Sequence, residues 1–269
     1  MPEFTALSPL GAKVVGLRVD GLDRSEVLEL RLVLAQRGVI VLPGQDIDDA
    51  AFLRFLRSFG EPVFTVGETP VPVFPDLNLV SNVGRTRPPR STFHTDTSYV
   101  RNPPAYTALR AVEVPDHGGH TLFSDQYAAY TTLPSEVRYR LHGRTITHVV
   151  TGLDLDASQE RQAEHPAFLV HPLTGRTALY LSTPQRCSAV SGMSASEAED
   201  MVSFLFRHST RADNVYRHAW SEGDIVMWDN RCVMHCADHS EVTGDRVMHR
   251  GMVTDRGNAL VAGAFGNAK

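Results

Sequence analysis

The sequence predicts a mainly β fold with flanking helices. Many short apolar runs end at glycine or proline, which is the pattern of strands separated by turns. Helical periodicity occurs mainly in two stretches near the N-terminus and in one late stretch, so helices do not alternate regularly with strands. This order argues against a doubly wound parallel sheet and favours a sandwich or barrel with helices packed outside it.

The first sixty residues are expected to form two strands and two helices. The predicted strands are residues 12–19 and 39–42. The second is a continuous apolar run, which is typical of a strand in the core of a sheet. Residues 25–36 predict a mostly buried helix that Gly38 stops. A second helix, capped by Asp48 or Asp49, ends at Gly60.

Two loops are expected before the middle of the chain. Residues 62–75 contain four prolines and predict a long irregular segment. Residues 78–82 predict a strand, and residues 84–89 predict a second loop that leads to a strand around His94. Long loops on a rigid frame often carry substrate contacts, so we expect substrate selection in this region.

The rest of the chain is expected to consist mostly of short strands. The predicted strands are residues 105–114, 120–123, 145–150, 167–171, 176–181, 215–220, 224–228 and 246–254. Residues 120–123 follow a turn rich in glycine and are expected to return along the strand before it. Short helices are predicted at residues 126–132 and 135–141, and Ser194 with Glu197 forms a capping box for a longer late helix.

The composition excludes several classes of protein. The chain has 269 residues, a net charge of -5 and no run rich in lysine or arginine, which argues against nucleic-acid binding. No apolar stretch approaches the roughly 20 residues that span a bilayer, and the N-terminus lacks the pattern of a secretory signal. Three cysteines are too few for a disulfide framework and fit a reducing cytoplasm. We therefore expect one cytoplasmic domain over residues 1–269, without a nucleic-acid or membrane partner.

A His-x-Asp pair in the middle of the chain predicts a metal site. His94 and Asp96 are two residues apart, so on an extended strand their side chains point to the same side. With a second imidazole from elsewhere in the chain they would form a three-point facial site, which suits non-haem iron(II) and oxygen chemistry. The pair alone also fits a surface histidine beside an aspartate in a turn.

Two arginines near the C-terminus predict an anion site. Arg246 and Arg250 are four residues apart, so on an extended strand both face one side while His249 faces the other. Buried guanidinium groups need anions, and the planar fork of arginine suits bidentate capture of a carboxylate. The alternative is that both arginines pair with carboxylates of the protein itself.

Four motifs follow one another along the chain in a recognisable order. They are His94-Thr95-Asp96, Gly118-Gly119-His120-Thr121, Trp228-Asp229-Asn230-Arg231 through His235, and the stretch from Arg246 to Arg250. Together they resemble the iron(II)- and 2-oxoglutarate-dependent taurine dioxygenase/TfdA family. The pattern of residues 12–60 is also similar, so the resemblance covers most of the chain, and only residues 62–90 and roughly 154–192 match poorly.

The resemblance implies a fold, a set of ligands and a reaction. The implied fold is a double-stranded β-helix, or jelly roll, with iron at its open end. The implied metal ligands, which are also the catalytic residues, are His94, Asp96 and His235. Thr121 and Arg246 would hold the distal carboxylate of 2-oxoglutarate, and Arg250 would face the substrate or support the co-substrate. The implied enzyme binds Fe(2+), consumes O2 and 2-oxoglutarate, releases succinate and CO2, and hydroxylates an unactivated C–H bond of a small, anionic organic substrate.

The sequence departs from taurine-specific relatives at two places. They have a histidine just after a Phe-Gly-Glu turn, whereas Pro62 and apolar residues follow that turn here. They also have an asparagine four residues before the first ligand, where this chain has Arg90. Taurine is therefore not the expected substrate, and Arg90 with Arg250 would instead bind another anionic group. Asn82, Thr97 and Tyr99 are further candidate substrate residues.

Other functions stay open on the sequence. The same oxidative chemistry would give desaturation, epimerisation or ring formation, because the outcome depends on how the substrate is placed. A non-catalytic jelly-roll binding module, with a structural metal or none, would keep the fold without the reaction. Assembly into a homo-oligomer also stays open.

Overall fold

A large, mostly antiparallel sheet dominates the computed structural model, which describes residues 2–84 and 91–255. Its strands are β1 (Glu3–Ala6), β2 (Ala12–Val15), β3 (Val39–Leu42), β4 (Pro62–Val63), β5 (Pro70–Val71), β6 (Phe74–Ser81), β7 (Tyr106–Glu113), β15 (Ile225–Asp229) and β17 (Val247–Val253). They are ordered β1-β2-β3-β15-β7-β17-β6-β5, and β4 pairs with the end of β17. Among the strands in the described part of the chain, β2 and β3 form the one parallel pair.

A second sheet faces the first and is ordered β14-β8-β16. Its strands are β8 (Thr121–Asp125), β14 (Val215–His218) and β16 (Val233–Ala237). Two small sheets extend the molecule beside it. They contain β9 (Thr145–Val149), β10 (Gln162–Pro166), β11 (Phe168–Val170), β12 (Thr177–Leu179) and β13 (Cys187–Val190). Two facing sheets of this kind form the jelly roll that the sequence predicts, and the fold class is confirmed by the solved structures compared below.

Alternate residues of the central strands face two different cores. In β3, Ile40 packs into a core beneath the N-terminal helices, whereas Val41 packs into the core between the two sheets. In β15, Met227 packs into the core beneath the helices and Trp228 packs into the core between the sheets. Because both faces of these strands are buried, their sequences are continuous apolar runs rather than alternating ones.

The helices cover the outer face of the large sheet and the far side of the second sheet. They are α1 (Arg24–Arg37), α2 (Asp49–Phe59), α3 (Gln126–Thr131), α4 (Ser135–Leu141) and α5 (Ala195–Ser209). The predicted capping box at Ser194 and Glu197 is present, Asp48 caps α2, and Gly38 ends α1 with a φ of 76°. The helices packed outside the sheet are therefore as predicted. None of the helices in the described ranges is long and apolar enough to cross a membrane.

Several sequence-based predictions of strands were wrong. Residues 62–75 are not one irregular loop, because β4, β5 and the start of β6 lie within them. Residues 120–123 do not return along β7, because β8 crosses to the second sheet and pairs with β14 and β16. The polar strand β10 was missed, since its sequence carries almost no apolar signal, and β16, which contains His235, was also missed.

Candidate functional site

Three side chains meet at one point between the two sheets. One ligand atom each from His94, Asp96 and His235 lies within 4.8 Å of the others. His94 Nε2 is 3.6 Å from Asp96 Oδ1, and His235 Nε2 is 3.8 Å from Asp96 Oδ2. Two imidazole nitrogens and a carboxylate converging in this way can hold a divalent metal ion, and this donor set fits iron(II).

The two histidines are brought together by the backbone. The N–H of His94 donates to the carbonyl of His235, and the N–H of His235 donates to the carbonyl of His94, both at 2.9 Å. The predicted strand around His94 is wrong, since this bridge is isolated and the chain turns directly after it, with Thr97 at a φ of 46°. Asp96 nevertheless faces the same point as His94, because the turn leaves its carboxylate between the two imidazoles.

A chain of buried hydrogen bonds fixes the Asp96 carboxylate. The Thr107 hydroxyl donates to Asp96 Oδ2 at 2.8 Å, and the Asn230 amide donates to the Thr107 oxygen at 2.8 Å. Trp228 Nε1 in turn donates to Asn230 Oδ1 at 3.0 Å. Such outer contacts set the orientation of a metal ligand. The ring nitrogen Nδ1 of His94 is 2.9 Å from the Thr92 carbonyl, so it carries the proton and leaves Nε2 free to bind a metal.

The electrostatics keep two of the ligands, Asp96 and His235, in the protonation states that a metal requires. Burial lowers the pKa of His235 to about 3. The nearby Asp96 carboxylate opposes this shift only in part. Burial raises the pKa of Asp96, but His235, His94 and Arg250 outweigh it and hold this pKa far below its usual value. At neutral pH the site therefore contains a carboxylate and an unprotonated His235, both of which can donate electron pairs.

A cavity of about 740 Å³ opens over the three side chains. His94 and His235 lie in its wall, together with Thr121, Arg246 and Arg250. As predicted, His249 faces the other side of β17, where its Nδ1 is 2.6 Å from Asp49. The cavity thus combines a potential metal site with two guanidinium groups.

Arg246 is a buried cation without a buried anion. It is 2% exposed, and no carboxylate of the described residues lies within 4.0 Å of its guanidinium. Its Nε donates to the Gly119 carbonyl at 2.9 Å, and its Nη2 lies 3.5 Å from the Thr121 hydroxyl oxygen. Burial lowers the pKa of Arg246 to about 10, yet the group stays charged at neutral pH. A buried guanidinium facing a cavity is a site for an anion from solution.

The Thr121 hydroxyl is directed by its neighbours. Its oxygen accepts a hydrogen bond from Trp220 Nε1 at 3.0 Å and faces Arg246. Because both neighbours donate, the hydroxyl proton is left for an acceptor in the cavity. Thr121 and Arg246 together present donors to one anionic group.

Arg250 differs from Arg246 because it already has acid partners. Its Nη2 is 3.2 Å from Glu68 Oε1, and its Nη1 is 3.8 Å from Asp96 Oδ1. The alternative in which both arginines pair with carboxylates of the protein therefore holds for Arg250 and not for Arg246.

The other predicted substrate residues lie outside the cavity wall or outside the described residues. Asn82 accepts from the Arg246 backbone N–H at 2.7 Å and donates to the Gly244 carbonyl, so it holds the start of β17. Thr97 contacts the Thr65 hydroxyl at 3.3 Å, and Tyr99 is buried. Arg90 lies outside the described residues.

Sequence reasoning missed two charged residues of the wall, Glu68 and Arg186. Glu68 lies in the stretch 62–75, where substrate selection was expected. Its place in that stretch was the only feature of the sequence that suggested a role in the cavity. Arg186 lies within residues 154–192, where the sequence resemblance is poor and no periodicity pointed to the cavity.

Comparisons with known proteins agree with this geometry. A family model described as "Taurine catabolism dioxygenase TauD, TfdA family" matches residues 3–252. The chain is 29% identical to the α-ketoglutarate-dependent 2,4-dichlorophenoxyacetate dioxygenase of Cupriavidus pinatubonensis, covering 91% of this chain and 94% of the relative. It is also 29% identical to the α-ketoglutarate-dependent sulfate ester dioxygenase of Pseudomonas putida, over 90% of this chain and 85% of the relative. The crystal structure of a taurine dioxygenase from Burkholderia xenovorans superposes with a TM-score of 0.83 at 28% identity, covering 94% of this chain and 89% of that one.

Proposed function

The chain belongs to the TauD/TfdA dioxygenase family, and from this membership we propose the following function. The protein is an iron(II)- and 2-oxoglutarate-dependent dioxygenase that hydroxylates an unactivated C–H bond of a small, anionic organic substrate. 2-Oxoglutarate is converted to succinate and CO2 in the same cycle, and O2 is the oxidant.

One observation carries the proposal. Two members of the ligand set, His94 and His235, line the same cavity as Arg246, a buried guanidinium that no carboxylate of the described residues pairs with. A keto-diacid needs both features, because one end chelates a metal and the other end is a carboxylate that needs a cation. A structural metal site would not require a buried guanidinium beside it, so the combination favours the enzyme over a binding module.

Each residue of this site has a distinct part in the proposal. His94, Asp96 and His235 would hold iron(II), which when bound would activate O2 with electrons from 2-oxoglutarate. Arg246 and the Thr121 hydroxyl would bind the distal carboxylate of the co-substrate, in line with their free donors.

The remaining wall would position the substrate and exclude water. Leu79, Val80, Leu109 and Trp228 line the cavity and offer an apolar surface to the carbon skeleton. Thr107 and Asn230 would keep Asp96 in one orientation while the substrate enters. Holding one C–H bond against the reacting centre in a dry cavity is the contribution that the protein makes to rate and selectivity.

Anaerobic titration with iron(II) and 2-oxoglutarate tests the proposal. The intact protein should give a weak visible charge-transfer band and, in air, release succinate. His94→Ala and Asp96→Ala should abolish both signals, whereas His142→Ala, a change at an exposed histidine at the end of α4, should leave them intact. An intact protein without the band would favour the non-catalytic binding module.

The wider setting is also part of the proposal. The whole chain, residues 1–269, would form one catalytic domain in the cytoplasm, since the site draws side chains from residue 94 to residue 250. Homo-oligomerisation stays a prediction that size-exclusion chromatography with light scattering tests. The mass of the product separates hydroxylation from desaturation, epimerisation and ring formation.

A further inference from the structure

Arg186 is a third guanidinium in the cavity wall, on the side contributed by the segment before β13. Its Nε donates to the Thr151 hydroxyl at 3.1 Å. No carboxylate of residues 2–84 or 91–255 lies within 4.0 Å of it, in contrast to Arg250. With Nε occupied by a neutral hydroxyl, the two Nη groups remain for a ligand.

Arg186 lines the same cavity of about 740 Å³ as His94 and His235. A molecule bound in this cavity can therefore reach both the guanidinium and the proposed metal site. Thr151, Thr183 and Gln185 line the same part of the wall, so polar donors surround the guanidinium. This side of the cavity is therefore suited to a polar head group, while the leucines described above suit an apolar body.

Among the described residues around the cavity, arginines outnumber carboxylates by one. In the loaded site, iron(II) and doubly charged 2-oxoglutarate would cancel each other. Glu68 and Asp96 would balance two of the three arginines. One positive charge then remains uncompensated in a partly buried space, and that is unfavourable unless an anion joins it.

We infer that Arg186, rather than Arg250, anchors the anionic end of the prime substrate. This inference rests on the function proposed above. Arg250 is excluded as the main anchor because Glu68 already pairs with it at 3.2 Å. Arg186 is a specificity residue in this scheme, since it binds the end of the substrate that does not react.

A panel of probes first identifies an anion that the cavity accepts. Phenoxyacetate, hexyl sulfate and hexanesulfonate are compared with the neutral compounds phenoxyethanol and hexanol, and succinate release is measured. We expect at least one anion to raise succinate release above the rate without substrate, while the neutral compounds do not. Equal stimulation by the neutral compounds, or no stimulation by any anion, would overturn the inference.

Arg186→Gln tests the anchor with the anion that stimulates most. The Kd of this anion is measured without turnover, from the change that the anion causes in the anaerobic visible band. Loss of a charge-assisted, bidentate contact should weaken anion binding roughly 10- to 100-fold and leave 2-oxoglutarate binding unchanged. Arg186→Lys keeps the positive charge but loses the planar guanidinium. Its Kd for the anion should lie between the values of the unmodified protein and Arg186→Gln. Arg54→Gln, at an exposed ion pair with Asp20, is the matched control and should change neither Kd.

The possible outcomes distinguish a failure of the role assigned to Arg186 from a failure of the proposed function. Unchanged anion binding in Arg186→Gln, with a normal band, would overturn the role of Arg186 and leave the dioxygenase proposal standing. Equal weakening of 2-oxoglutarate and the anion would likewise overturn it, because Arg186 would then serve the co-substrate. Absence of the band from the unmodified protein would overturn the proposed function and this inference with it.

Discussion

The Thr107 hydroxyl donates a hydrogen bond to Asp96 Oδ2 at 2.8 Å and accepts one from the Asn230 side-chain amide at 2.8 Å. The two contacts leave the hydroxyl with one orientation, so the Asp96 carboxylate turns its other oxygen towards His94. The strand β7 thereby positions a proposed metal ligand without contacting the metal itself.

Thr107→Val should loosen that carboxylate while keeping the shape of the side chain. We expect metal affinity to fall about 10- to 100-fold, because an outer contact of the ligand is lost. Stability should fall by about 1–3 kcal/mol, since Asp96 and Asn230 lose a partner in a buried place. Calorimetric titration with Mn(II) and urea unfolding measure the two effects. Thr177→Val, on β12, is the control, and equal metal affinity in both variants would contradict the assigned role.

Arg246→Met should stabilise the protein that lacks co-substrate. Burial lowers the pKa of Arg246 to about 10, which corresponds to a desolvation cost of about 3 kcal/mol for the charged group. Part of this gain is offset by the lost contact with the Gly119 carbonyl. We expect unfolding at a higher urea concentration than in the unmodified protein, together with loss of the stabilisation that 2-oxoglutarate and metal confer. A variant that is less stable but still stabilised by 2-oxoglutarate would refute the anion site.

Gly119→Ala should displace the Arg246 side chain. A Cβ at Gly119 would lie 2.8 Å from Pro115 Cγ and 3.1 Å from Arg246 Cδ, and φ is +69°. Gly143→Ala is a matched control, because Gly143 has a φ of +70° and open space around it. Both variants should lose about 1 kcal/mol of stability from backbone strain. Only Gly119→Ala should weaken 2-oxoglutarate binding in the anaerobic titration, and a similar weakening in both would point to strain alone.

His148→Asn should reduce the acid sensitivity of folding. His148 is fully buried beside the Ser98 hydroxyl, and burial lowers its pKa to about 3. Between about pH 6.5 and pH 3 the unfolded chain binds a proton there and the folded protein does not, so the free energy of unfolding falls as pH falls. The contribution reaches about 1.4 kcal/mol for each pH unit. Urea unfolding at several pH values between 4 and 7 should show a smaller loss in His148→Asn, and parallel curves would disprove the assignment.

The sequence predicted the elements whose signals are local. The run Val39–Leu42 is buried on both faces, so its hydrophobicity alone identified a core strand. Arg246, just before β17, and Arg250 within it face the cavity, whereas His249 faces the other side, as strand geometry predicts. Spacing within one element was therefore sufficient in these cases.

Long-range contacts explain what the sequence did not show. His94 is held by a bridge to His235 rather than by a strand of its own, and no local pattern encodes that pairing. Glu68 and Arg186 reach the cavity from segments whose paths depend on tertiary packing. Charged residues in such segments resemble surface residues until the chain is folded, so the wall that selects the substrate was the least predictable part.

The reciprocal hydrogen bonds between His94 and His235 have a practical consequence. His235 belongs to the second sheet, while Asp96 is secured by Thr107 of the large sheet, so the complete donor set exists only where both halves of the sandwich have docked. In a misassembled polypeptide only His94 and Asp96 would be near each other, and two ligands would bind iron weakly. The ratio of tightly bound iron to polypeptide in a purified batch would therefore serve as a gauge of correctly assembled molecules, independent of any knowledge of the substrate.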